Sequence, residues 1–207
     1  MRRTLRDAVH AHTALSLHAD FDQNLHLKTN QVRIIGGQWR SRIVRFPSAP
    51  SLRPTPGRLR ETLFNWLGQE LTGKVCLDLF AGSGALGFES ASRGARAVIM
   101  VEQDAAILRA LRETQAALAA SQVEIHRADA FVFLKTDARH YDVIFLDPPF
   151  HLGLLPSLLP LLPPRLDPLA RVYVETEEPV VMPLGFEVEK QTRAGQVHGL
   201  LLKYAAP

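Results

Sequence analysis

From residue 74 onward, short apolar runs alternate with longer segments in which apolar residues recur at helical spacing. The runs predict strands at residues 75–80, 97–102, 123–127, 141–146, 171–175, 186–192 and 197–204. The longer segments predict helices at residues 85–93, 104–120, 130–137 and 154–162. Strands that alternate with helices build βαβ units, so the pattern predicts an α/β fold around a mainly parallel, seven-stranded sheet. Only a turn around Gly195 separates the last two strands, which predicts an antiparallel C-terminal hairpin.

A different pattern precedes this alternating region. In residues 32–46, apolar positions on both sides of Gly36-Gly37 predict a small β-hairpin that displays Arg40 and Arg42. Trp39 lies between these two arginines. Its ring could stack on a nucleic-acid base, but packing against the protein is the favoured interpretation.

A helix is predicted to follow the hairpin, with Thr55 as its N-cap and Pro56 at its first helical position. Its apolar stripe consists of Leu59, Leu63, Trp66 and Leu67. Arg58 and Arg60 are expected to point away from that stripe, toward solvent. Residues 1–31 show no clean periodicity, so we expect a poorly ordered N-terminal extension there.

Positive charge is concentrated near the N-terminus. Residues 1–60 hold 11 Lys and Arg against 3 Asp and Glu, whereas residues 61–207 hold 13 against 18. From residue 23 to residue 60 there is no acidic residue, and the cations are Lys28, Arg33, Arg40, Arg42, Arg45, Arg53, Arg58 and Arg60. Such a segment suits a polyphosphate partner; a basic face that only aids solubility is the alternative. We therefore expect residues 32–72 to bind nucleic acid, with Arg40, Arg42, Arg53, Arg58 and Arg60 as the phosphate contacts.

The overall composition limits the remaining possibilities. A chain of 207 residues with 46% apolar content can bury one substantial core. No run of apolar residues is long enough to cross a membrane, and Cys76, the single cysteine, lies within a predicted strand. We expect a cytoplasmic monomer with a buried, inert thiol and no metal site.

The candidate chemistry begins with a glycine loop after the first strand of the parallel region. Residues 82–87 read Gly-Ser-Gly-Ala-Leu-Gly, and Glu102 follows Gly82 by 20 residues. This spacing matches the fingerprint of dinucleotide-binding proteins, but the six-residue pattern alone is a weak signal. Glycines at this position let the backbone approach any adenosine-bearing ligand, and a carboxylate at the end of the second strand can accept both ribose hydroxyl protons.

The acidic residues at the strand ends distinguish between possible ligands. Asp78 precedes the loop, where it would repel a pyrophosphate but would favour the ammonium and sulfonium groups of S-adenosylmethionine. Asp129 follows the third strand and could accept the adenine amino group, with Ala130 supplying a backbone contact; a helix cap is the alternative reading of Asp129. The predicted cofactor is therefore S-adenosylmethionine, bound by Asp78, Phe80, Gly82, Ser83, Gly84, Glu102, Asp129 and Ala130.

The fourth strand of the parallel region ends in Asp147-Pro148-Pro149-Phe150. The lone pair of an exocyclic base amine is delocalised into the ring, so the amine is a poor nucleophile. The Asp147 carboxylate and the Pro148 carbonyl could accept its two protons and expose that lone pair, and consecutive prolines would fix both acceptors in advance. Phe150 offers a flat face for a base that has left its stack. Because a sulfonium methyl group is already activated, the predicted transfer requires neither a metal nor a covalent intermediate.

Together, these motifs resemble those of the Rossmann-like class I methyltransferases that modify amines. Residues 33–40, 52–55, 60–67 and 194–197 further resemble the bacterial RsmD family, which methylates the N2 amine of one guanine in 16S ribosomal RNA. The resemblance covers residues 32–204 and implies 16S ribosomal RNA, or a small-subunit particle, as the partner. The patterns along the chain predict three parts: an extension (1–31), an RNA-binding hairpin and helix (32–72) and a catalytic domain (73–207).

Three other functions fit parts of the pattern. An adenine-N6 methyltransferase acting on DNA or RNA would use the same Asp-Pro-Pro-Phe motif, and only the N-terminal resemblance favours guanine. A nicotinamide-dependent oxidoreductase would use the glycine loop but would leave Asp78 and Asp147 unexplained. A non-catalytic RNA-binding protein would have no use for an intact Asp147 and glycine loop.

Overall fold

The computed structural model describes residues 29–48 and 55–206. The strands in this part are β1 (Thr29–Arg33), β2 (Ile43–Pro47), β3 (Val75–Asp78), β4 (Ala97–Glu102), β5 (Val123–Arg127), β6 (Tyr141–Leu146), β7 (Leu166–Thr176), β8 (Phe186–Ala194) and β9 (Val197–Tyr204). The α-helices are α1 (Gly57–Trp66), α2 (Ala85–Ser92), α3 (Ala105–Leu118), α4 (Ala130–Thr136) and α5 (Leu155–Leu158). Short 3-10 helices are present at Phe150–Leu152, before α5, and at Leu159–Leu161 and Pro163–Arg165, after it.

Seven of these strands form one sheet in the order β5-β4-β3-β6-β7-β9-β8. Strand β9 is antiparallel to β7 and β8, and the other neighbours are parallel, which confirms the predicted Rossmann-like sheet with its C-terminal hairpin. The chain adds β4 and β5 on one side of β3 and then returns to place β6 on the other side. Ligands of open α/β sheets bind at such a reversal, beyond the carboxyl ends of the strands.

Apolar side chains of the central strands point alternately to two layers, so both faces of the sheet are covered. One face packs against α1, α2 and α3 through residues such as Phe64, Phe88 and Leu111. The other face packs against α4 and α5 through residues such as Phe133 and Leu158. This double coverage explains why β3 and β6 are nearly continuous apolar runs.

The N-terminal hairpin of β1 and β2 shares the first of these cores. Val32, Ile34, Val44 and Phe46 are buried with residues of the central sheet. Trp39 is half-buried and packs against the same cluster, which confirms the packing interpretation of its ring. The hairpin and the sheet therefore bury apolar surface together.

Two local predictions were wrong, each for a physical reason. Thr55 does not cap α1: Pro56 occupies the N-cap position, and no side chain caps the helix. The predicted helix at 154–162 is α-helical only in α5 and continues as 3-10 turns. Pro160, Pro163 and Pro164 have no backbone N–H, so an α-helix cannot continue through them.

Cys76 is fully buried in β3, where burial raises the pKa of its thiol to about 12. A thiol with such a pKa is not nucleophilic at neutral pH, as expected for an inert core residue. Among the described helices, none combines the length and the apolar character that crossing a membrane requires.

Candidate active site

The sheet brings the predicted acidic residues to one edge. Asp78 ends β3, Glu102 ends β4, and Asp147 directly follows β6. Asp129 follows β5 by two residues and precedes α4. Because these four strands are parallel, their carboxyl ends lie along the same side of the molecule. The reversal in strand order lies between β3 and β6, the two strands that carry Asp78 and the Asp147 motif.

The glycine loop that joins β3 to α2 adopts backbone angles that suit glycine. Gly82 and Gly84 have φ of 47° and 78°, in the left-handed region. A Cβ on Gly84 would lie 2.7 Å from the Phe88 ring and from Leu111, so a side chain there would also clash with the core. Ser83 is buried, and its hydroxyl accepts a 3.3 Å hydrogen bond from the Ala85 N–H. The loop is thus fixed by packing.

Asp78 is almost completely buried beneath this loop. Its Oδ2 accepts a 2.9 Å hydrogen bond from the Gly87 N–H, inside the first turns of α2. Burial, with smaller contributions from Asp147 and Glu102, raises the pKa of its carboxyl to about 7. A cation bound nearby would favour the ionised form of such a group.

Glu102 organises the loop from the neighbouring strand. Its Oε2 accepts a hydrogen bond of 3.1 Å from the Gly82 N–H, and Oε1 accepts bonds of 2.8 Å from the N–H groups of Gln103 and Asp104. The side chain is half-buried, so part of it still faces solvent. The carboxylate therefore has a structural role in holding the loop, besides the ribose contact predicted for it.

Asp129 caps α4, the reading left open by the sequence. Its Oδ1 accepts hydrogen bonds of 2.9 Å and 3.1 Å from the N–H groups of Phe131 and Val132. The residue is exposed, while Ala130 beside it is buried and Phe80 is half-buried against the second core. Capping occupies Oδ1, so an adenine contact would fall to Oδ2 and to the backbone at Ala130.

Asp147 follows the wholly buried end of β6. Its Oδ2 accepts a long hydrogen bond of 3.4 Å from the hydroxyl of Thr55, which lies 92 positions earlier in the chain. Burial raises the pKa of the Asp147 carboxyl to about 7, and the Thr55 bond opposes that rise. Pro148 is buried, and Phe150 is half-buried at the start of a 3-10 turn. The motif is therefore a rigid strand end with one carboxylate near the surface.

Glu175, in β7, is a site residue that the sequence reasoning missed. Leu146 pairs with Val174, so Asp147 and Glu175 occupy successive positions on neighbouring parallel strands. Glu175 is 1% exposed, and the Tyr173 hydroxyl donates a 3.1 Å hydrogen bond to its Oε1. The sequence signal was an acid after an apolar run, the same signal that identified Asp78 and Asp147.

Arg60, predicted to contact RNA, is instead buried in the core and only 4% exposed. Its Nη1 donates a 3.0 Å hydrogen bond to the Arg33 carbonyl and lies 3.7 Å from Glu89 Oε2. Burial lowers the pKa of its guanidinium, and Glu89 opposes that change. The prediction was wrong because Glu89, buried on α2, attracts Arg60 to the apolar side of α1.

Glu89 also fastens the hairpin to the catalytic sheet. Its two oxygens accept hydrogen bonds of 2.8 Å from the N–H groups of Ile35 and Gly36. Arg93, one turn further along α2, donates to Glu89 Oε1 at 2.8 Å. This buried cluster of Glu89, Arg60 and Arg93 joins α1, α2 and the hairpin.

The other predicted arginines of the described region, Arg40, Arg42 and Arg58, are exposed. Arg33 and Arg45 are also exposed, on the outward side of β1 and β2, opposite the buried Val32, Val44 and Phe46. We call Arg33, Arg40, Arg42 and Arg45 the hairpin arginines. Arg53 lies outside the described residues.

Arg40 and Arg42 belong to the hairpin turn, which is attached to the far end of α2. The N–H groups of Gln38 and Trp39 donate to the carbonyl and hydroxyl of Ser92 at 2.8 Å and 2.9 Å. Because α2 begins beside Asp78 and ends at Ser92, the turn lies at the sheet edge opposite Asp147. An open groove of about 1020 Å³ at that edge is lined by Gly37, Arg40 and Gln122, among others, and by none of the predicted cofactor residues.

The chemical character of the loop fits S-adenosylmethionine. Residues 79–87 include no Lys or Arg, whereas Asp78 and Glu102 lie directly beside the loop. This arrangement suits a ligand with positive charge and no phosphate. Within residues 29–48 and 55–206, no three His, Cys, Asp or Glu side chains are grouped so that they could hold a metal ion.

Comparisons with known proteins give a consistent set of matches. Residues 32–203 match the family model described as conserved hypothetical protein 95. The chain is 42% identical over 178 residues to ribosomal RNA small subunit methyltransferase D of Escherichia coli K12, covering 83% of this chain and 89% of that protein. It is 41% identical over 175 residues to the protein of the same name from Haemophilus influenzae, covering 81% and 91%.

Solved structures agree with this match. A putative methyltransferase from Escherichia coli superposes with a TM-score of 0.77 at 40% identity, covering 86% of this chain and 100% of the other. A 16S rRNA N2 methyltransferase from Thermus thermophilus, solved with AdoMet and guanosine, superposes with a TM-score of 0.65 at 24% identity. That match covers 86% of this chain and 50% of the other, and at this identity it shows the fold alone.

Proposed function

We propose that this chain methylates small-subunit ribosomal RNA. It belongs to the conserved hypothetical protein 95 family, which includes the ribosomal RNA small subunit methyltransferases D. The methyl group comes from S-adenosylmethionine, and the acceptor is the exocyclic N2 amine of a guanine in 16S ribosomal RNA. The enzyme acts in the cytoplasm as a monomer, on the free RNA or on a small-subunit particle.

One observation carries this proposal: the glycine loop and the Asp-Pro-Pro-Phe motif follow β3 and β6, which are adjacent strands. A donor above the loop and an amine held by Asp147 would meet at the reversal in strand order. Asp78 and Glu102 provide the negative charge that a cationic donor needs, and both carboxylates hold the loop through its backbone N–H groups.

The protein residues then prepare the amine for attack. The Asp147 carboxylate and the Pro148 carbonyl accept hydrogen bonds from the two N–H groups of the amine, which directs the nitrogen lone pair toward the methyl group. Phe150 stacks on the base and keeps the amine in the plane of the acceptors. When bound, S-adenosylmethionine supplies an electrophilic methyl group on a sulfonium.

The transfer balances without another reactant. With S-adenosylmethionine bound, an N–C bond would form as the C–S bond breaks, and the bonding pair of that C–S bond would stay on sulfur. The nitrogen then carries one proton too many, and the Asp147 carboxylate accepts it. A carboxyl with a pKa of about 7 is suited to take this proton near neutral pH and to pass it to water.

The hairpin arginines and Arg58 are the proposed phosphate contacts. Residues 29–48 include no acidic residue, so the outward side of the hairpin is uniformly basic. Arg53 stays a prediction for the same role, and Arg60 is no longer part of it. The boundaries 1–31, 32–72 and 73–207 also stay a prediction; residues 1–28 of the predicted extension lie outside the described residues, whereas Thr29–Arg33 form β1.

Transfer of a labelled methyl group tests the proposal. Small subunits and 16S ribosomal RNA from a strain that lacks this gene would be incubated with the protein and tritiated S-adenosylmethionine, then digested to nucleosides. We expect the label in N2-methylguanosine, and none with Asp147→Asn protein. Label in N6-methyladenosine would establish the adenine alternative, and an absence of transfer to either substrate would overturn the proposal.

A further inference from the structure

The turn of the C-terminal hairpin is a segment for which the proposed reaction has no role. It joins β8 to β9 and includes residues 194–197, one of the four stretches that resemble the RsmD family. We call residues 193–198 the C-terminal turn.

The C-terminal turn lies at the same edge of the sheet as Asp147. Strand β7 is parallel to β6, and β9 runs back from the end of β7, so that Thr176 pairs with His198 and His198 pairs with Arg193. Three strand spacings separate β6 from β8. At about 4.8 Å each, these spacings place the turn about 14 Å from the Asp147 motif, across the sheet.

Arg193 and the Asp-Pro-Pro-Phe motif also face the same side of the sheet. Side chains alternate along a strand, so Thr176 shares a face with Val174, and residues paired across strands share a face too. Val174 is buried in the core that α5 covers. The Arg193 side chain therefore leaves the sheet on the α5 side. The chain after Asp147 turns to this side as well, because Phe150–Leu152 leads into α5.

The loops that follow the parallel strands at this edge contain no Lys or Arg. They are residues 79–84, 103–104, 128–129, 147–154 and 177–184, and their acids are Asp104, Asp129, Asp147, Glu177 and Glu178. Asp78 and Glu102, at the ends of β3 and β4, add to this negative charge. Arg127 is the cation at the far margin, where β5 is the outermost strand. Most of the edge therefore repels a phosphate.

The C-terminal turn has the opposite charge. No Asp or Glu occurs in residues 190–207, and Arg193 is exposed. Its Nε donates a 2.7 Å hydrogen bond to the Gly195 carbonyl, which holds the guanidinium against the turn and leaves both Nη groups as donors. Within residues 29–48 and 55–206, no carboxylate forms an ion pair with it. A guanidinium held in this way can bind a phosphate through two parallel hydrogen bonds.

We propose that the C-terminal turn binds RNA, with Arg193 holding a backbone phosphate that flanks the target guanine on the side of the site away from the cofactor loop. The choice of 16S ribosomal RNA as the partner rests on the proposed function. The contact offsets the negative charge of the edge where the RNA comes closest to Asp147. Stacked nucleotides advance about 3.4 Å each, so a span of about 14 Å places this phosphate within about four nucleotides of the guanine.

Arg193→Ala and Lys203→Ala are a matched pair of variants that test the contact. Each removes one cation from the C-terminal hairpin, but Lys203 pairs with Glu187 near the opposite edge of the sheet. Arg193→Ala should reduce the slope of log K against log salt for 16S ribosomal RNA by about 1 and raise the KM for this RNA about 5- to 20-fold. Lys203→Ala should change neither, and calorimetry should show the affinity of both variants for S-adenosylmethionine within about threefold of wild type. Equal effects of the two variants, or no effect of Arg193→Ala, would overturn the inference.

Cross-linking locates the contact and does not depend on catalysis. Cys76, the single cysteine of the chain, is fully buried, so Arg193→Cys introduces one accessible thiol for a photoactivatable azide reagent. The labelled protein would be bound to small subunits and 16S ribosomal RNA from a strain that lacks this gene. It should cross-link within about four nucleotides of the guanine that the wild-type protein methylates, and labelled Lys203→Cys should not. Cross-links elsewhere, or equal cross-links from both positions, would contradict the proposed contact.

Failure of this contact can be told apart from failure of the proposed function. A wild-type protein that transfers no methyl group overturns the proposed function, whatever the cross-links show. A wild-type protein that methylates guanine, together with an Arg193→Ala variant of unchanged KM and salt slope, overturns only the role of the C-terminal turn.

Discussion

The carboxylate of Asp78 accepts a 2.9 Å hydrogen bond from the backbone N–H of Gly87, across the loop that joins β3 to α2. This bond ties the strand end to the helix and orients the glycines between them. Burial nevertheless raises the pKa of Asp78 to about 7, so one hydrogen bond does not offset the loss of water around the charge. The loop thus includes an acid whose ionisation responds to a cation.

Binding of S-adenosylmethionine should release protons near neutral pH. A cationic ligand lowers the pKa of Asp78 from about 7, so part of the protein population loses a proton on binding. We expect affinity to rise from about pH 6 to about pH 8. Calorimetry in buffers of different ionisation enthalpy measures the release, and Asp78→Asn should reduce both the release and the affinity. A pH-independent affinity would contradict this role for Asp78.

Asp78→Asn should also make the protein more stable at alkaline pH. The pKa of Asp78 is raised from 3.8 to about 7, so between these values the folded protein holds a proton that the unfolded chain has lost. The unfolding free energy therefore falls as pH rises through this window. At about pH 8 we expect a gain of about 1–3 kcal/mol over wild type, measured by urea unfolding. The difference should vanish below about pH 4, where both states bind the proton.

Asp147→Asn should stop methyl transfer while cofactor binding persists. An amide can accept one amine hydrogen bond but cannot take the proton, so kcat should fall by about 10²–10⁴-fold. Asp142→Asn is the matched control, because Asp142 is on the same strand and pairs with Lys74 at the opposite edge of the sheet. Single-turnover kinetics and calorimetry separate the two effects. Lost cofactor affinity with residual activity at saturating cofactor would contradict the assignment.

Glu89→Ala should destabilise the protein strongly. It would leave Arg60 and Arg93 buried without a counter-charge, and the N–H groups of Ile35 and Gly36 would lose their hydrogen-bond acceptor. We expect a loss of about 3–5 kcal/mol in the unfolding free energy, measured by urea unfolding. Glu113→Ala, at an exposed position of α3, should change it by less than about 0.5 kcal/mol. Similar effects in both variants would refute the role of the cluster.

Removing hairpin arginines should weaken RNA binding and its dependence on salt. Arg33→Ala with Arg45→Ala, and separately Arg40→Ala with Arg42→Ala, should each reduce the slope of log K against log salt by about 1–2. Lys135→Ala is the control, because Lys135 is exposed on α4 at the other face of the sheet. If only one pair changes the slope, the RNA follows only that half of the hairpin; if neither does, the RNA path lies elsewhere.

The sheet could be predicted from the sequence because strands that are buried on both faces are nearly continuous apolar runs. The predicted bounds of β4, β5, β6 and β9 match the structure residue for residue. The acids at the strand ends were found for the same reason: a charged residue directly after an apolar run is easy to detect. Parallel pairing then places them at one edge without further information.

Side-chain contacts between segments that are far apart in the sequence could not be predicted. Thr55 had the local features of a helix cap, but its hydroxyl bonds to Asp147, 92 positions away. Arg60 had the features of a surface cation, but its partner Glu89 lies on another helix. Both errors arose because a buried partner elsewhere in the chain outweighs a local preference.

The attachment of the hairpin through Glu89 has a consequence for target selection. The hairpin arginines cannot move relative to Asp147 unless the buried Arg60–Glu89 ion pair breaks, together with the two hydrogen bonds that backbone N–H groups of the hairpin donate to Glu89. The span between the proposed backbone contacts and the reacting carboxylate is therefore constant. If the hairpin arginines contact RNA as proposed, the nucleotide that reaches Asp147 is the one that lies at this fixed span from the bound phosphates.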